Sequence, residues 1–286
     1  MPRIAVVVDS TVGISPEYAA EHNVQVVPLS IQMQGQSLRD GVDITTERFY
    51  ELLPTCSPLP TTSQPAAGDF IRVYSSLASD CYDGIVSVHL SSGISGTCAS
   101  AELAAREVGI PVEIVDTPCA ASASLFAAEA AVRAAERGAV LADVARLSRR
   151  VATQQRTVFA VDTLEYLHKG GRIGGAAALV GSILQFKPLL HFVDGKITAL
   201  ERVRTSARAL RRSIEVMVEW LGADTPVLAR VIHAAALDRG EQLAEMACEA
   251  LNVAEMRIGD VPPVLGAHVG PGTASICCCP VEVAGL

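Results

Sequence analysis

The sequence predicts an α/β protein of two domains: a parallel-sheet β-α-β domain over residues 1–156 and a mixed, partly antiparallel α/β domain over residues 157–286. Three observations lead to this prediction. The first half alternates β-branched runs with helical patterns, which is typical of parallel strands joined by right-handed crossovers. The second half contains the turn signal Asp194-Gly195 between two strand-like runs. A chain of 286 residues is long enough for two domains of moderate size.

In the first half, four apolar runs predict strands, and helical patterns lie between them. The runs are RIAVVVDS (3–10), VQVVPLSIQM (24–33), GIVSVHL (84–90) and VEIVDT (112–117). Ser15 followed by Pro16 predicts a helix start, because serine caps helix N-termini and proline suits the first turn. Further helices are expected after Thr45, from about Pro65 behind a polar loop, from Thr97, and in the alanine-rich stretch that ends near Gln155.

In the second half, TVFAVDT (157–163) predicts a strand, and LEYLHKGGRIGG (164–175) predicts a short helix ended by glycines. The run LLHFVDGKITALERV (189–203) predicts a hairpin, and two strand-helix units follow it. The consecutive residues Cys277, Cys278 and Cys279 suit alternate faces of a strand better than disulfides or a metal site. Pro280 should stop that strand or place it at a sheet edge.

Composition excludes several classes of protein. The net charge is −8 and no cluster of Lys and Arg is visible, which argues against a nucleic-acid backbone as ligand. The longest stretch without a formal charge, 261–281, contains prolines and glycines, and the apolar stretch 173–186 is too short to span a bilayer. The eight cysteines show no CxxC spacing, and no signal-peptide pattern precedes the first strand. We therefore expect a cytoplasmic protein with reduced thiols and no metal site.

Three clusters of small polar residues follow predicted strands or precede predicted helices. They are Asp9-Ser10-Thr11, Thr61-Thr62-Ser63-Gln64 and the segment Ser91 to Thr97. Because ligands of open parallel sheets lie at the carboxyl ends of the strands, these hydroxyls and nearby helix N-termini predict an anion site. The simpler alternative is that the hydroxyls only cap helices. No Walker lysine or dinucleotide glycine pattern supports a nucleotide, and Arg172 in GGRIGG is expected at the surface beyond a glycine helix end.

His268, in the segment GAHVGPGT, leaves two functional interpretations open. Ser95 could be a nucleophile with His268 as its base, or both could hydrogen-bond a carboxylate. The segment Gly93-Ile94-Ser95-Gly96-Thr97 misses the nucleophile-elbow pattern by one place, and the β-branched Thr97 does not suit so tight a turn. Asp116 and Asp162 are the candidate orienting acids. The carboxylate interpretation explains more residues, since Thr62 is also a good donor.

Eight segments in this order resemble the DegV family of bacterial fatty-acid-binding proteins, and the resemblance runs essentially end to end. The segments are VVVDST, TTSQPAAGDF, LSSGISGT, LHKGGRIGG, KPLL, DGKI, RVRT and HVGPGT. The chain is similar to the acyl-carrying subunits of bacterial fatty acid kinases.

The resemblance implies a long-chain fatty acid in a buried apolar tunnel, with its carboxylate at the cleft between the domains. The carboxylate would be bound by Thr62, Ser95 and His268, with Ser92 and Gly96 as additional head-group residues. The chain would have no catalytic residue and no cofactor, and it would present the acid to a separate ATP-dependent fatty acid kinase for use in phospholipid metabolism. The resemblance also implies that Arg172, Arg202 and Arg204 lie near that cleft and form a surface for the kinase, and that contact with a membrane surface would be transient.

Two expectations complete the sequence analysis. The charge-poor segment 176–184 is expected to be a helix that forms the tunnel wall or a lid, or else plain core. The alternative activity is a serine esterase or lipase that uses Ser95 and His268. Neither the preferred acyl chain length nor the oligomeric state follows from the sequence.

Overall fold

The computed structural model describes residues 1–179 and 186–285, and the predicted segment 176–184 therefore lies partly outside the described residues. The described part of that segment belongs to a 3-10 helix, Gly174–Leu179. The strands are β1 Ile4–Asp9, β2 Gln25–Val27, β3 Ser30–Met33, β4 Gln36–Arg39, β5 Thr61–Ser63, β6 Gly84–His89, β7 Val112–Asp116, β8 Arg156–Ala160, β9 Lys187–Val193, β10 Lys196–Val203, β11 Val227–His233, β12 Val253–Asp260 and β13 Ala274–Pro280. The helices are α1 Pro16–Glu21, α2 Thr46–Leu52, α3 Ala67–Ser79, α4 Thr97–Ala105, α5 Ser122–Glu136, α6 Leu141–Gln154, α7 Glu165–Lys169, α8 Ser206–Leu221, α9 Leu237–Ala250, α10 Pro263–Val269 and α11 Val281–Ala284.

The strands form three sheets, and the predicted α/β fold class is confirmed. A parallel sheet has the order β2-β1-β6-β7, and a mixed sheet has the order β10-β9-β8-β13-β11-β12. A small antiparallel sheet has the order β4-β3-β5. Strands from residues 4–116 build the first and third sheets, and strands from residues 156–280 build the mixed sheet. The predicted domain boundary between residues 156 and 157 stays a prediction.

Helices cover both faces of the parallel sheet, as its apolar strands require. One core cluster joins the sheet to α3 and α4, and another joins it to α5 and α6. The second cluster also contains Leu228, Cys277 and Cys279 of the mixed sheet, so the two halves of the chain share one apolar core. Helices α8 and α9 pack on the opposite face of the mixed sheet.

The run VQVVPLSIQM is not one strand, which corrects the prediction. Pro28 lacks an N–H and separates β2 from β3. Strand β2 joins the parallel sheet, whereas β3 pairs with β5 in the small sheet. The predicted polar loop around Thr62 is likewise a short strand, because Ile31 of β3 pairs with Thr62 of β5.

The three consecutive cysteines point to alternate faces of β13, as predicted. Cys277 and Cys279 pack toward the parallel half, and Cys278 packs toward α8 and α9. Pro280 ends the strand, which is the first of its two expected effects, and β13 lies between β8 and β11 inside the sheet rather than at an edge. A proline at the last residue removes no hydrogen bond from the strand interior. All eight cysteines are free thiols.

Within the described ranges, every helix is too short or too polar to cross a lipid bilayer.

Candidate functional site

A cavity lies between the loops of the parallel half and the face of the mixed sheet that α8 and α9 leave uncovered. It contains about 840 Å³ of empty space, including its opening to solvent. Most of its wall is apolar and comes from both halves of the chain, with Leu90, Ile94, Phe159, Leu167, Phe192 and Ile232 among the lining residues. A space of this kind is suited to an elongated apolar ligand.

Thr62, Ser95 and His268 come together in the wall of this cavity. Thr62 lies on β5, Ser95 lies in the loop before α4, and His268 lies in the last turn of α10. The Oγ1 atom of Thr62 is 2.7 Å from Nε2 of His268. Residues 206 positions apart in sequence therefore form a direct contact that only the folded chain provides.

His268 is neutral at physiological pH. Its ring is buried, and this burial together with the nearby charge of Arg172 lowers its pKa to about 4. Its Nδ1 atom is buried without a hydrogen-bond partner. A proton on Nδ1 would be an unsatisfied buried donor, so we assign the proton to Nε2. Nε2–H then donates to Thr62, and the hydroxyl hydrogen of Thr62 is left to donate into the cavity.

The loop that carries Ser95 begins α4. The Oγ atom of Ser95 accepts a hydrogen bond from the N–H of Thr97 at 3.3 Å and lies 2.9 Å from Oγ1 of Thr97. Ser95 thus bonds the N–H of the first residue of α4, although the N-cap itself is Gly96, and the hydroxyls of Ser95 and Thr97 together have capacity for a further partner. A Cβ atom at Gly96 would lie 2.5 Å from Nε2 of Gln64, so a larger residue there would displace the exposed Gln64 side chain.

Two contacts from the second half of the chain hold this loop. The hydroxyl of Ser91 donates to the carbonyl oxygen of Gly195 in the β9-β10 turn at 2.8 Å. The Nε–H of Arg172 donates to the carbonyl oxygen of Ile94 at 3.1 Å. The expected surface position of Arg172 is wrong, because its side chain is half-buried and lines the cavity. Its positive charge therefore lies at the polar end of the cavity.

The carboxylate of Asp9 holds the end of β6 through hydrogen bonds. As expected of a capping residue, it accepts a hydrogen bond from the N–H of Thr11 at 3.0 Å. Its other oxygen accepts from the backbone N–H of Leu90 at 3.1 Å and lies 3.0 Å from Nδ1 of His89. All of these side chains are buried, so the strand end that leads into the Ser95 loop is held by a dry polar network.

The remaining predicted residues lie away from the Thr62–His268 pair. Ser92 is exposed and its N–H and hydroxyl both bond Asp116. Arg202 is exposed on β10, the edge strand of the mixed sheet, and Arg204 is exposed just beyond the end of that strand.

The geometry needed by a serine nucleophile is not present among the described residues. The Nε2 atom of His268 is next to Thr62, and the hydroxyl of Ser95 is next to Thr97. The two candidate acids have other partners: Asp116 bonds Ser92, and Asp162 binds two basic side chains, those of Lys187 and Arg239. A lowered pKa also makes His268 a poor base at neutral pH.

Several lining residues were not found from the sequence, namely Phe159, Phe192, Thr157, Ser275 and Cys277. The sequence signal that could have indicated them is the two-residue period of a strand, which puts Thr157 and Phe159 on one face of β8. That period does not reveal which face meets the cavity.

Residues 3–281 match the family described as uncharacterised protein, DegV family. A DegV domain-containing protein of Streptomyces coelicolor is 38% identical over 275 residues, which cover 96% of this chain and 97% of the relative. Protein DegV of Bacillus subtilis is 34% identical over 279 residues, covering 97% of this chain and 99% of the relative.

Two solved structures extend the similarity to the fold. A fatty-acid-binding DegV family protein from Thermus thermophilus superposes with a TM-score of 0.92 at 32% identity, covering 98% of this chain and all of that chain. DegV of Bacillus subtilis, described as a fatty acid binding protein, superposes with a TM-score of 0.89 at 33% identity over the same shares. A family match over almost the whole chain, with relatives of this identity, leads to one conclusion. The chain belongs to the DegV family.

Proposed function

We propose that this protein binds a long-chain fatty acid, with the hydrocarbon tail in the cavity and the carboxylate at Thr62, Ser95 and His268. The observation that carries the proposal is that one mostly apolar cavity is also lined by the hydroxyl donors Thr62 and Ser95 and by Arg172. Solved structures of similar DegV proteins are described as fatty acid binding. The proposal assigns the chain no catalytic residue and no cofactor.

The two ends of the site have different roles in this proposal. Burial of each methylene contributes about 0.8 kcal/mol, so a sixteen-carbon tail contributes on the order of 10 kcal/mol before ordering costs. The hydroxyls of Thr62 and Ser95 donate to the carboxylate oxygens, and the charge of Arg172 lowers the cost of bringing an anion into the cavity. His268 acts through Thr62, because its Nε2–H directs the hydroxyl hydrogen of Thr62 toward the ligand.

The first test is extraction of the purified protein with organic solvent and identification of the released acid by mass spectrometry. We expect about one fatty acid per chain, or uptake of added palmitate by protein that has been stripped of lipid. Ser95→Ala should weaken palmitate binding, and Ser92→Ala is the matched variant, because the hydroxyl of Ser92 is already bonded to Asp116. Ligand-free protein that also ignores added palmitate would refute the proposal.

We further propose that the bound acid is presented to a separate ATP-dependent kinase. The support is chemical: the polar residues proposed to bind the carboxylate line the cavity, and Arg202 and Arg204 offer exposed positive charge at the end of the edge strand β10. The test is acyl phosphate formation from bound palmitate, ATP and the fatty acid kinase catalytic subunit of the same organism. Loss of product in Arg202→Glu and Arg204→Glu with unchanged palmitate binding is the expected result.

A further inference from the structure

The end of the cavity opposite His268 is formed by four side chains on four adjacent strands. Cys277 of β13 pairs with Thr157 of β8. Val158 of β8 pairs with His191 of β9, a register that places Phe192 beside Thr157, and Phe192 pairs with Ile197 of β10. The side chains of Cys277, Thr157, Phe192 and Ile197 all line the cavity. They form a transverse row across the sheet, and we name it the end row.

The end row lies within reach of a bound acyl tail. Thr273 marks the other end of β13, since its hydroxyl donates at 3.0 Å to the carbonyl oxygen of Val269 in the helix that carries His268. Thr273 directly precedes β13 and is four residues from Cys277, which corresponds to about 13 Å of extended chain. An extended sixteen-carbon chain is longer than this distance, so its terminal carbons reach the end row.

A second space lies on the far side of the end row. It is a crevice of about 880 Å³ between the two halves of the chain, and its polar wall includes Gln155, Arg156 and Asp194. Among the residues that the structure describes, only Thr157 and Phe192 line both spaces. Two side chains therefore separate an apolar cavity from a polar crevice.

These two side chains differ in what holds them. Thr157 is buried, and its hydroxyl donates to Oε1 of Gln155 at 2.6 Å. Phe192 is half-buried, and its ring packs against Phe159 with the ring centroids 5.9 Å apart. Removal of the Phe192 ring would open the cavity toward the crevice without breaking a hydrogen bond.

We propose that the end row limits the length of the acyl chain and that Phe192 is its main specificity-determining residue. This inference rests on the proposed function, because it assigns the far end of the same site. Chains that end before the row gain apolar contact with each added methylene. Longer chains must displace Phe192 or place their terminus against the polar groups of the crevice.

The test is the dissociation constant of saturated fatty acids from twelve to twenty carbons, measured by competition with a fluorescent fatty acid. The proteins are wild type, Phe192→Ala, Phe192→Leu and the control Val193→Ala, which changes the adjacent, exposed residue. In wild type, Kd should fall with chain length to an optimum and then rise. In Phe192→Ala the optimum should move at least two carbons longer, with Kd about fourfold lower for each added methylene that the larger cavity admits.

The pattern across chain lengths separates this proposal from a general loss of stability. Phe192→Ala should bind the shortest acids more weakly and the longest more tightly, Phe192→Leu should shift the optimum less, and Val193→Ala should match wild type. If Phe192→Ala fails to fold, the smaller shift of the optimal chain length in Phe192→Leu tests the proposal. The proposal is overturned if both Phe192 variants have the same optimal chain length as wild type. It is also overturned if the Kd of wild type shows no optimum up to twenty carbons. A wild-type protein that binds none of these acids overturns the proposed function, and this inference with it.

Discussion

Substitution of Thr62 by valine tests the carboxylate site most directly. Valine keeps the shape of threonine but removes the hydroxyl that lies 2.7 Å from Nε2 of His268. A hydrogen bond to a charged group contributes about 1.5–3 kcal/mol, so the Kd for palmitate should rise roughly 10- to 150-fold. The fold should survive, because Thr62 is on a short strand and only half-buried.

The assay is isothermal titration of palmitate, at concentrations below micelle formation, into lipid-free protein. Thr61→Val is the matched control, since Thr61 is the preceding residue of the same strand and its side chain is exposed. The loss should be the same for fourteen-, sixteen- and eighteen-carbon acids, because Thr62 touches only the carboxylate. Unchanged affinity in Thr62→Val, or an equal loss in Thr61→Val, would show that the hydroxyl of Thr62 does not bind the ligand.

Two further predictions concern buried charges outside the cavity. Burial raises the pKa of Asp40 to about 6, so its carboxyl group binds a proton more tightly in the folded protein than in the unfolded chain. The protonated carboxyl group therefore stabilises the fold below pH 4, and this stability is lost as the pH rises through 6. Asp40→Asn should therefore increase the free energy of unfolding at pH 8 by up to about 3 kcal/mol and leave it unchanged near pH 4. Urea denaturation at both pH values measures this, and an unchanged free energy of unfolding at pH 8 would contradict the prediction. Glu129 is buried between Arg230 and Arg257, at 3.1 and 3.2 Å, so Glu129→Gln should lower the free energy of unfolding by about 3–5 kcal/mol. Glu136→Gln, on the same helix but half-exposed, should cost under about 1 kcal/mol, and equal losses in the two variants would count against the buried ion pair.

Local signals predicted much of the fold. Ser15 and Pro16 start α1 as expected, and the serine oxygen accepts from the N–H of Tyr18. The Asp194-Gly195 turn joins β9 and β10, with both residues at positive φ. Such features depend on a few neighbouring residues, so they are visible in the sequence.

Features that depend on distant partners were not predicted. The strand at Thr61–Ser63 exists because β3 supplies its hydrogen bonds, and three polar residues carry no strand signal of their own. For Pro280 the sequence left two outcomes open, a strand end or an edge position, because nothing nearby shows that β8 and β11 flank its strand. In the candidate site, Thr62, Ser95 and His268 were found by type and motif, whereas the inward position of Arg172 depends on its bond to the Ile94 carbonyl 78 residues away.

The serine-glycine loop shows why the neighbourhood of a residue decides its chemistry. Ser95 lies at a strand-to-helix turn like that of a catalytic serine, but catalysis requires a base that removes its proton. Here the only histidine that lines the cavity, within the part of the chain that the structure describes, is neutral and is bonded to a threonine. A neutral ring that donates from Nε2 cannot accept a proton at that atom, and no carboxylate lies at Nδ1 to favour the protonated form. The same ring is well suited to direct a hydroxyl hydrogen toward a bound anion.

The two ends of the cavity should therefore respond differently to substitution. Loss of a head-group donor removes a fixed contribution, so Thr62→Val should shift the logarithm of Kd equally for every chain length. Removal of the Phe192 ring changes the contact of the terminal carbons, so Phe192→Ala should change the slope and optimum of Kd against chain length. The changes should be additive in the double variant, because Thr62 lies at the His268 end of the cavity and Phe192 at the opposite end. A coupling larger than about 0.5 kcal/mol would mean that the acid is not bound along the axis from His268 to the end row.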